Sequence, residues 1–591
     1  MSSVLKSTAT EENKASTQNG VKRLIFVGIA MLLEIALDVG LMLWLNQYDE
    51  WIMIMLHIIA AVLVLVIYNQ NKTSAMKVPW IILIMALPVL GLTLYLLIGL
   101  NPGMYSMRKR YKQIDAEVLP LLEDSIKEGL TAGSESVNLL KDDLEEAVQE
   151  DDSDADIVLP EQAPDMNPVE NLAVKHLDEI DPGAANIAKY LQDRAHYPAY
   201  ENVKIEYFND AAKGIAAQKE ELKKAEKFIF MEYHAIENAE SWHAIQEILE
   251  DRVKAGVEVR VFYDDMGSIG FIDTDFVKLL ESKGIRCRVF NPFRIGLNLF
   301  MNNRDHRKIT VIDGRVGFTG GYNIANEYFN ITHPFGHWKD TGIKIYGEAV
   351  KSLTVTFLEM WNAISGDDDN DTDYRKYLPD VSAYDQNLPA VSSDIDTSGT
   401  ETSGGQTDES RGFVIPYADI PLDDEHVGED VYISVAEYAK KYAWYVTPYL
   451  ILTDEMIHAL GLAAKRGVDV RVITPGIPDK PIVYSITRSY YYSLIRNGVR
   501  IFEYSPGFCH CKMSVADDNI ATCGTINLDY RSLYHHFENG CLYAHCKAVA
   551  DTKADFESIM SVSREVTDEY RSPSDGRKFG QMLLRLIAPL M

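Results

Sequence analysis

The sequence predicts a two-part α/β catalytic body, built by duplication and tethered by N-terminal membrane helices. Three observations predict it. Long apolar runs are confined to residues before 101, strand and helix patterns then alternate in two long units, and one motif recurs in both units with identical internal spacing.

Residues 1–20 are polar and lack an apolar period, which predicts a disordered N-terminus. Lys22-Arg23 opens the apolar run 24–45, and further runs follow at 51–68 and 79–100. The outer two are long enough to span a hydrocarbon core and the middle one is marginal, so residues 21–107 are read as a membrane anchor. The first run is too long for a cleaved leader and ends in no small-residue site. Basic residues stand before the first run, between the second and third (Lys72, Lys77) and after the third (Arg108, Lys109, Arg110, Lys112). The positive-inside tendency puts all three clusters in the cytoplasm, which fits two spans plus a third segment that dips in and returns, broken near Pro88 and Gly91. Glu34 and Asp38, one turn apart, predict a protein-facing side of the first run.

Residues 108–165 read as an acidic helical linker, with a dense run of acids at 142–156. The first globular unit, 166–366, begins with a helix over 173–191 and an alternating strand over 203–208. It continues with a strand at 228–233, a helix over 242–255 stopped at Gly256, a strand at 257–262, a helix over 275–282 and a strand ending at Phe290. Residues 367–415, rich in Asp, Ser, Thr and Gly, read as a disordered acidic linker. The second unit, 416–571, repeats the order, and Val468-Asp469-Val470-Arg471-Val472 mirrors Val257-Glu258-Val259-Arg260-Val261. A C-terminal amphipathic tail, 572–591, either lies on a membrane surface or closes the second unit.

The repeated motif is H-x-K-x4-D-x6-G-x-x-N. It runs through His306, Lys308, Asp313, Gly320 and Asn323, and again through His510, Lys512, Asp517, Gly524 and Asn527. His and Lys two apart on a strand project from one face. Asp313-Gly314 and Asp517-Asp518-Asn519 predict hairpin turns that bring the Gly and Asn back beside them. Each unit thus offers an imidazole, an ammonium and an amide, and a pseudo-twofold pair offers two of each. That set suits a phosphodiester: lysines and asparagines stabilise charge on the non-bridging oxygens, one histidine attacks phosphorus and the other handles the proton. The lysines carry the charge role, so neither a metal nor another cofactor is expected. Cys509-His510-Cys511 lacks a second spaced ligand pair and is read as packing.

The net charge of −30 weighs against a nucleic-acid partner. Six unevenly spaced cysteines do not form the framework of a small secreted domain and predict a reduced, cytoplasmic-facing body.

The two motifs are the signature of the phospholipase D superfamily, and the chain resembles its bacterial cardiolipin synthases. The resemblance includes Tyr263-Asp264-Asp265-Met266-Gly267-Ser268, Gly320-Gly321-Tyr322-Asn323, Trp338-Lys339-Asp340-Thr341-Gly342 and Asn527-Leu528-Asp529-Tyr530-Arg531-Ser532. It implies two α/β/α sandwich domains, a bacterial cell membrane location, and condensation of two phosphatidylglycerols into cardiolipin and glycerol through a phosphohistidine. It implies catalytic roles for His306, Lys308, Asp313, His510, Lys512 and Asp517. Asn323, Asn527, Glu327 and Glu538 are expected to bind substrate, with the two glutamates orienting a histidine or assisting proton transfer. Three readings stand beside it: hydrolysis of the same lipid, a nuclease, and a non-catalytic membrane scaffold. Oligomeric state is not readable.

Overall fold

The computed structural model describes residues 40, 50–70, 73–96, 105–123, 171–273, 275–292, 303–364, 371–379, 410–423, 425–572, 580 and 584–585. The strands of the first half are β1 (Tyr200–Phe208), β2 (Phe228–Tyr233), β3 (Glu258–Asp264), β4 (Arg286–Phe290), β5 (Arg304–Asp305), β6 (Lys308–Ile312), β7 (Val316–Gly320), β8 (His337–Lys339) and β9 (Gly342–Tyr346). Those of the second are β10 (Arg411–Asp419), β11 (Tyr442–Val446), β12 (Leu450–Ile451), β13 (Asp469–Pro475), β14 (Arg500–Tyr504), β15 (Gly507–Cys509), β16 (Met513–Ala516), β17 (Ile520–Gly524), β18 (Leu528–Asp529), β19 (His536–Ala544) and β20 (Ser563–Glu565).

One mixed sheet runs through both halves, and its strand order carries the duplication. Outward from the centre, the first half reads β1-β9-β7-β6-β2-β3-β4 and the second reads β10-β19-β17-β16-β11-β13-β14-β20. The halves join where β1 and β10 pair antiparallel, with Lys204 opposite Arg411 and Val203 opposite Gly412. The strands β2 and β11 are buried along their whole length, as central strands covered on both faces must be, and both read as near-continuous apolar runs. Helices occupy matching places in the two halves: Ala211–Leu222 with Val427–Tyr438, Glu240–Lys254 with Asp454–Lys465, and Val350–Ala363 with Lys547–Ser561. Gly256 and Gly467, at φ 91° and 96°, take the left-handed conformation that ends their helices where the sequence predicts.

Several expected boundaries change. The helix expected over 173–191 is two, Leu172–Ile180 and Pro182–Asp193. Asp181 ends the first and caps the second by accepting from the Ala184 N–H, and Pro182 fits a first helical turn but not an interior. The start of the expected 108–165 linker belongs to the helix Tyr105–Val118, whose Met107, Tyr111, Ile114 and Val118 are buried at helical spacing. It packs on Val350–Ala363, a helix buried along its entire length, with Arg110 Nε donating to the Ala363 carbonyl at 3.1 Å. The expected linker 367–415 is also narrower. Asp371 accepts two bonds from Arg260, at 2.7 and 2.8 Å, Tyr377 joins the core, and Arg411 already lies in β10. The rest of that linker, the acidic run 142–156, the N-terminus 1–20 and most of the tail 572–591 lie outside the described residues.

Among the described residues no helix is long and apolar enough to cross a membrane. The run 24–45, with Glu34 and Asp38, lies outside them apart from Gly40. The second run is the helix Glu50–Tyr68, which exposes Ile54, Met55, Ile58, Ile59, Val62, Leu65 and Val66. The third is broken at Leu87, between Ser74–Ala86 and Pro88–Leu94. It folds back so closely that a Cβ on Gly91 would stand 2.5 Å from the Ile84 Cα. Its end returns to its beginning, where Gln70 Nε2 donates to the Tyr95 hydroxyl at 2.9 Å and Trp80 meets the Tyr95 ring edge-on.

Candidate active site

The two motifs form matching hairpins. β6 pairs antiparallel with β7 and β16 with β17, and the turns between them use left-handed residues, Asp313 and Gly314 at φ 54° and 65°, Asp517 and Asp518 at φ 53° and 67°. Two successive positive φ values match the right-handed twist of the flanking strands. The motif aspartates stand at these turns, at the far end of the strands from the histidines. The Asp313 carboxylate accepts the N–H groups of Glu226, Lys227 and Phe228 at 2.7–2.9 Å, and Asp517 accepts those of Lys440, Lys441 and Tyr442 over the same range. Each fixes the start of a central strand, β2 or β11, and among the described residues neither forms a hydrogen bond to a histidine.

The histidines are instead served by acids of the opposite half. Nδ1 of His306 lies 2.9 Å from both oxygens of Glu538, and Nδ1 of His510 lies 2.7 Å from Asp340 Oδ2. A carboxylate can only accept, so each ring donates through Nδ1 and presents Nε2 as its basic nitrogen. The backbone reinforces the crossing. The His306 N–H donates to the Phe537 carbonyl at 2.9 Å, and the His510 N–H to the Lys339 carbonyl at 2.8 Å. Ahead of each histidine, β5 pairs in parallel with β19 and β15 with β8. Asp264 clamps the first of these segments, accepting from the Arg304 guanidinium and from the Asp305 N–H. Neither half completes its own site.

The acids are themselves held. Glu538 accepts from the hydroxyls of Thr525 and Ser532. Asp340 accepts from the Thr341 N–H at 2.9 Å, and it fits only because residue 321 is glycine, since a Cβ there would lie 2.0 Å from its Oδ1. Thr525 occupies in the second half the place of Gly321 in the first, so a longer acid pairs with a threonine and a shorter one with a glycine. His306, His536 and Glu538 also bring possible metal-ligand atoms within 4.8 Å of one another. With both Glu538 oxygens already bound to hydroxyls and to the His306 ring, the group reads as a hydrogen-bonded orienting acid.

Burial governs the ionisation of these groups. It is the first cause that pushes His306 well below the usual imidazole range and His510 down to about 4, with nearby lysines adding to it. Lys308 falls to about 7 and Lys512 to about 8, again mainly through burial. The lysines sit beside their own histidines. Lys308 Nζ donates to the His306 carbonyl, and Lys512 Nζ lies 2.9 Å from His510 Nε2. The resting site therefore holds neutral imidazoles and easily deprotonated ammonium groups, a set that an anion would recharge.

The other expected residues are placed unevenly. Asn323 is occupied by scaffold bonds, accepting from the Ala235 N–H and donating to the Tyr328 hydroxyl, while the buried Asn527 Oδ1 has no hydrogen-bond partner among the described residues. Glu327 is half-buried beside Glu237 and Asp479, and burial and those acids raise it to about 7. Among the described residues it forms no hydrogen bond to a histidine, whereas Asp340 bonds His510. Sequence reasoning missed Asp340 although a signal exists. Gly342 pairs with Gly320 and Gly540 with Gly524, so Asp340, two residues before Gly342, is the counterpart of Glu538.

A duplicated α/β body whose two His-x-Lys strands are completed crosswise defines the phospholipase D class of phosphodiester enzymes. Residues 219–361 and 432–560 match the family described as "Cardiolipin synthase, PLD-like domain", and residues 56–99 match "Phospholipase_D-nuclease N-terminal". An uncharacterized protein of Streptococcus mutans is 42% identical over 69% of this chain and 82% of its own length. Proteins named cardiolipin synthase from Oceanobacillus iheyensis and Geobacillus kaustophilus are each 29% identical, over 90% and 89% of this chain and 97% and 91% of theirs. The phosphatidylserine synthase of Haemophilus influenzae covers 69% of this chain at 14% identity with a TM-score of 0.49, a likeness too loose to bear on function. The chain belongs to the cardiolipin synthase family of phospholipase D-like proteins.

Proposed function

We propose that this protein is a membrane-associated cardiolipin synthase that transfers a phosphatidyl group from one phosphatidylglycerol to another, releasing glycerol. The observation that carries the reading is the crosswise pairing of His306 with Glu538 and His510 with Asp340, within a chain that aligns with cardiolipin synthases over most of its length. One neutral histidine attacks phosphorus through Nε2, and the P–O bond to glycerol breaks as the P–N bond forms. The other histidine acts as imidazolium, the form that the bound lipid phosphate favours over the neutral ring of the resting site, and gives its Nε2 proton to the departing glycerol oxygen. That second histidine then takes the proton from a glycerol hydroxyl of the incoming phosphatidylglycerol, whose oxygen displaces the phosphohistidine nitrogen. Lys308 and Lys512 stabilise the non-bridging oxygens, and the lipid phosphate favours their charged forms. Asn527 offers a further polar contact. Asp313 and Asp517 are positioning residues, acting through the strands that they hold. Glu538 and Asp340 set the tautomer and orientation of the histidines, as an acid does in any histidine dyad. No step in this scheme calls on a metal or a nucleotide.

The exposed apolar face of Glu50–Tyr68 and the folded-back segment after it suit a membrane-inserted anchor in which the third run enters and leaves on one side, with the catalytic body facing the cytoplasm. Cysteines placed at Gln70 and Ser106 are then equally accessible in sealed cells, and opposite accessibility overturns that topology. The function is tested by incubating the purified full chain with phosphatidylglycerol labelled in its headgroup. Equal amounts of glycerol and cardiolipin support the reading. Phosphatidic acid as the only lipid product identifies a hydrolase, and an absence of turnover identifies a scaffold.

A further inference from the structure

The pseudo-twofold that builds the site is broken in chemistry around the two histidines. The His510 ring is walled by aromatic rings, with centroids at 5.2 Å for Trp338, 5.4 Å for Tyr328 and 5.7 Å for Phe508. The His306 ring is flanked by two imidazoles, His234 at 5.0 Å and His536 at 5.6 Å. These differences fall at equivalent positions. His536 stands two residues before Glu538 as Trp338 stands two before Asp340, and Arg304 stands two before His306 as Phe508 stands two before His510. Four residues after the motif asparagine, the first half carries Glu327 and the second carries Arg531. One side of the site is therefore aromatic and acidic and the other is cationic.

On the cationic side Arg304 is held by Asp264 at 2.8 Å and Arg307 by Glu232 at 2.6 Å. Arg531 is different. Its Nε lies 3.4 Å from Nε2 of His536, and among the described residues it forms no ion pair. Burial acts against its charge first and Arg304 adds to that, while the carboxylates of Asp529 and Asp264 favour the charge from beyond ion-pair contact, and an arginine stays protonated. A partly desolvated guanidinium with no carboxylate in ion-pair contact among the described residues, one imidazole away from a reacting histidine, can take an anion, and its planar fork suits a phosphate.

Transfer to a second phospholipid brings, besides its acyl chains, a charged feature that water and free glycerol lack, a second phosphodiester one glycerol unit from the attacking hydroxyl. We propose that Arg531, with His536 beside it, holds the phosphate of this acceptor lipid and so selects a phospholipid over a neutral acceptor. The proposal rests on the transferase reading above. The covalent step is unchanged: the acceptor oxygen bonds to phosphorus as the P–N bond breaks, and its proton passes to the other histidine.

The test uses the full chain in phosphatidylglycerol vesicles with labelled free glycerol, and it follows two products at once. Cardiolipin reports a phosphate-bearing acceptor, and labelled phosphatidylglycerol reports exchange with a neutral one. Arg531→Gln is expected to lower cardiolipin formation at least tenfold more than glycerol exchange, and Arg531→Lys to restore part of the difference. A parallel fall in both products, or no change in their ratio, overturns the proposal. A wild-type protein that exchanges glycerol yet makes no cardiolipin overturns the transferase reading and removes the need for a second phosphate site.

Discussion

Glu538 of the second half lies 2.9 Å from Nδ1 of His306 in the first, and its own carboxylate is fixed by Thr525 and Ser532. Asp340 makes the reciprocal bond to His510 at 2.7 Å. A single substitution in either half therefore disables a histidine in the other. Glu538→Gln and Asp340→Asn are each expected to lower turnover by about 10²-fold or more, the scale of a lost acid–base function, while the thermal melt changes little. Near-normal turnover in either variant contradicts the crosswise arrangement.

Gly321 gives a steric version of the same test. A methyl group there meets Asp340 Oδ1 at 2.0 Å, so Gly321→Ala has to push the carboxylate away from His510. Its backbone is not left-handed, so the cost falls on the neighbour. Turnover is expected to fall as in Asp340→Asn, and full activity from the alanine variant contradicts this packing.

Asp313 and Asp517 predict the opposite pattern. Each accepts three backbone N–H groups at the start of a central strand. Alanine at either position leaves one buried donor, the N–H of Phe228 or Tyr442, unsatisfied, at about 1–3 kcal/mol, and frees two N–H groups of exposed residues. Urea denaturation is expected to show that loss, with the folded protein keeping turnover within a few-fold of wild type. A hundredfold loss of turnover at unchanged stability contradicts a positioning role and returns the aspartates to the chemistry.

These contrasts mark how far the sequence was legible. The duplication, the strands 228–233 and 257–262 and the motif hairpins follow from local periodicity and turn chemistry. The crossing does not, because Asp340 and Glu538 meet their histidines only after β5 pairs with β19 and β15 with β8, contacts between residues far apart in the chain. Glu327 illustrates the difficulty. Its spacing from Asn323 is regular, but the short helical turn Asn326–Phe329 carries it toward Glu237 and Asp479. The motif aspartates recur with the histidines in the sequence, and the backbone bonds that each makes at its hairpin are visible only in the fold. The helix Val350–Ala363 is buried on every side although Lys351, Glu359 and Asn362 lie in it, because Tyr105–Val118 packs against it.

Ionisation supplies an independent prediction. Lys308 at about 7 and Lys512 at about 8 are partly neutral near pH 8 without substrate, and a bound oxyanion favours their charged forms. Binding of tungstate, a phosphate mimic, is expected to take up protons at pH 8 and to weaken as pH rises through 7 to 9. Calorimetry in two buffers of different ionisation enthalpy measures the uptake. Proton release, or an affinity that strengthens with rising pH, contradicts the buried-lysine account. His510, held near 4 chiefly by burial, is expected to show no ring titration in the free enzyme between pH 7.5 and 5.5. A midpoint near 6.5 contradicts that burial.

The central claim is that one active site is assembled from both halves. It is tested most directly by the rate of cardiolipin formation from phosphatidylglycerol by purified His306→Ala and His510→Ala proteins beside the wild type. Both variants are predicted to fall to background while remaining folded, and near-normal turnover in either one contradicts the claim.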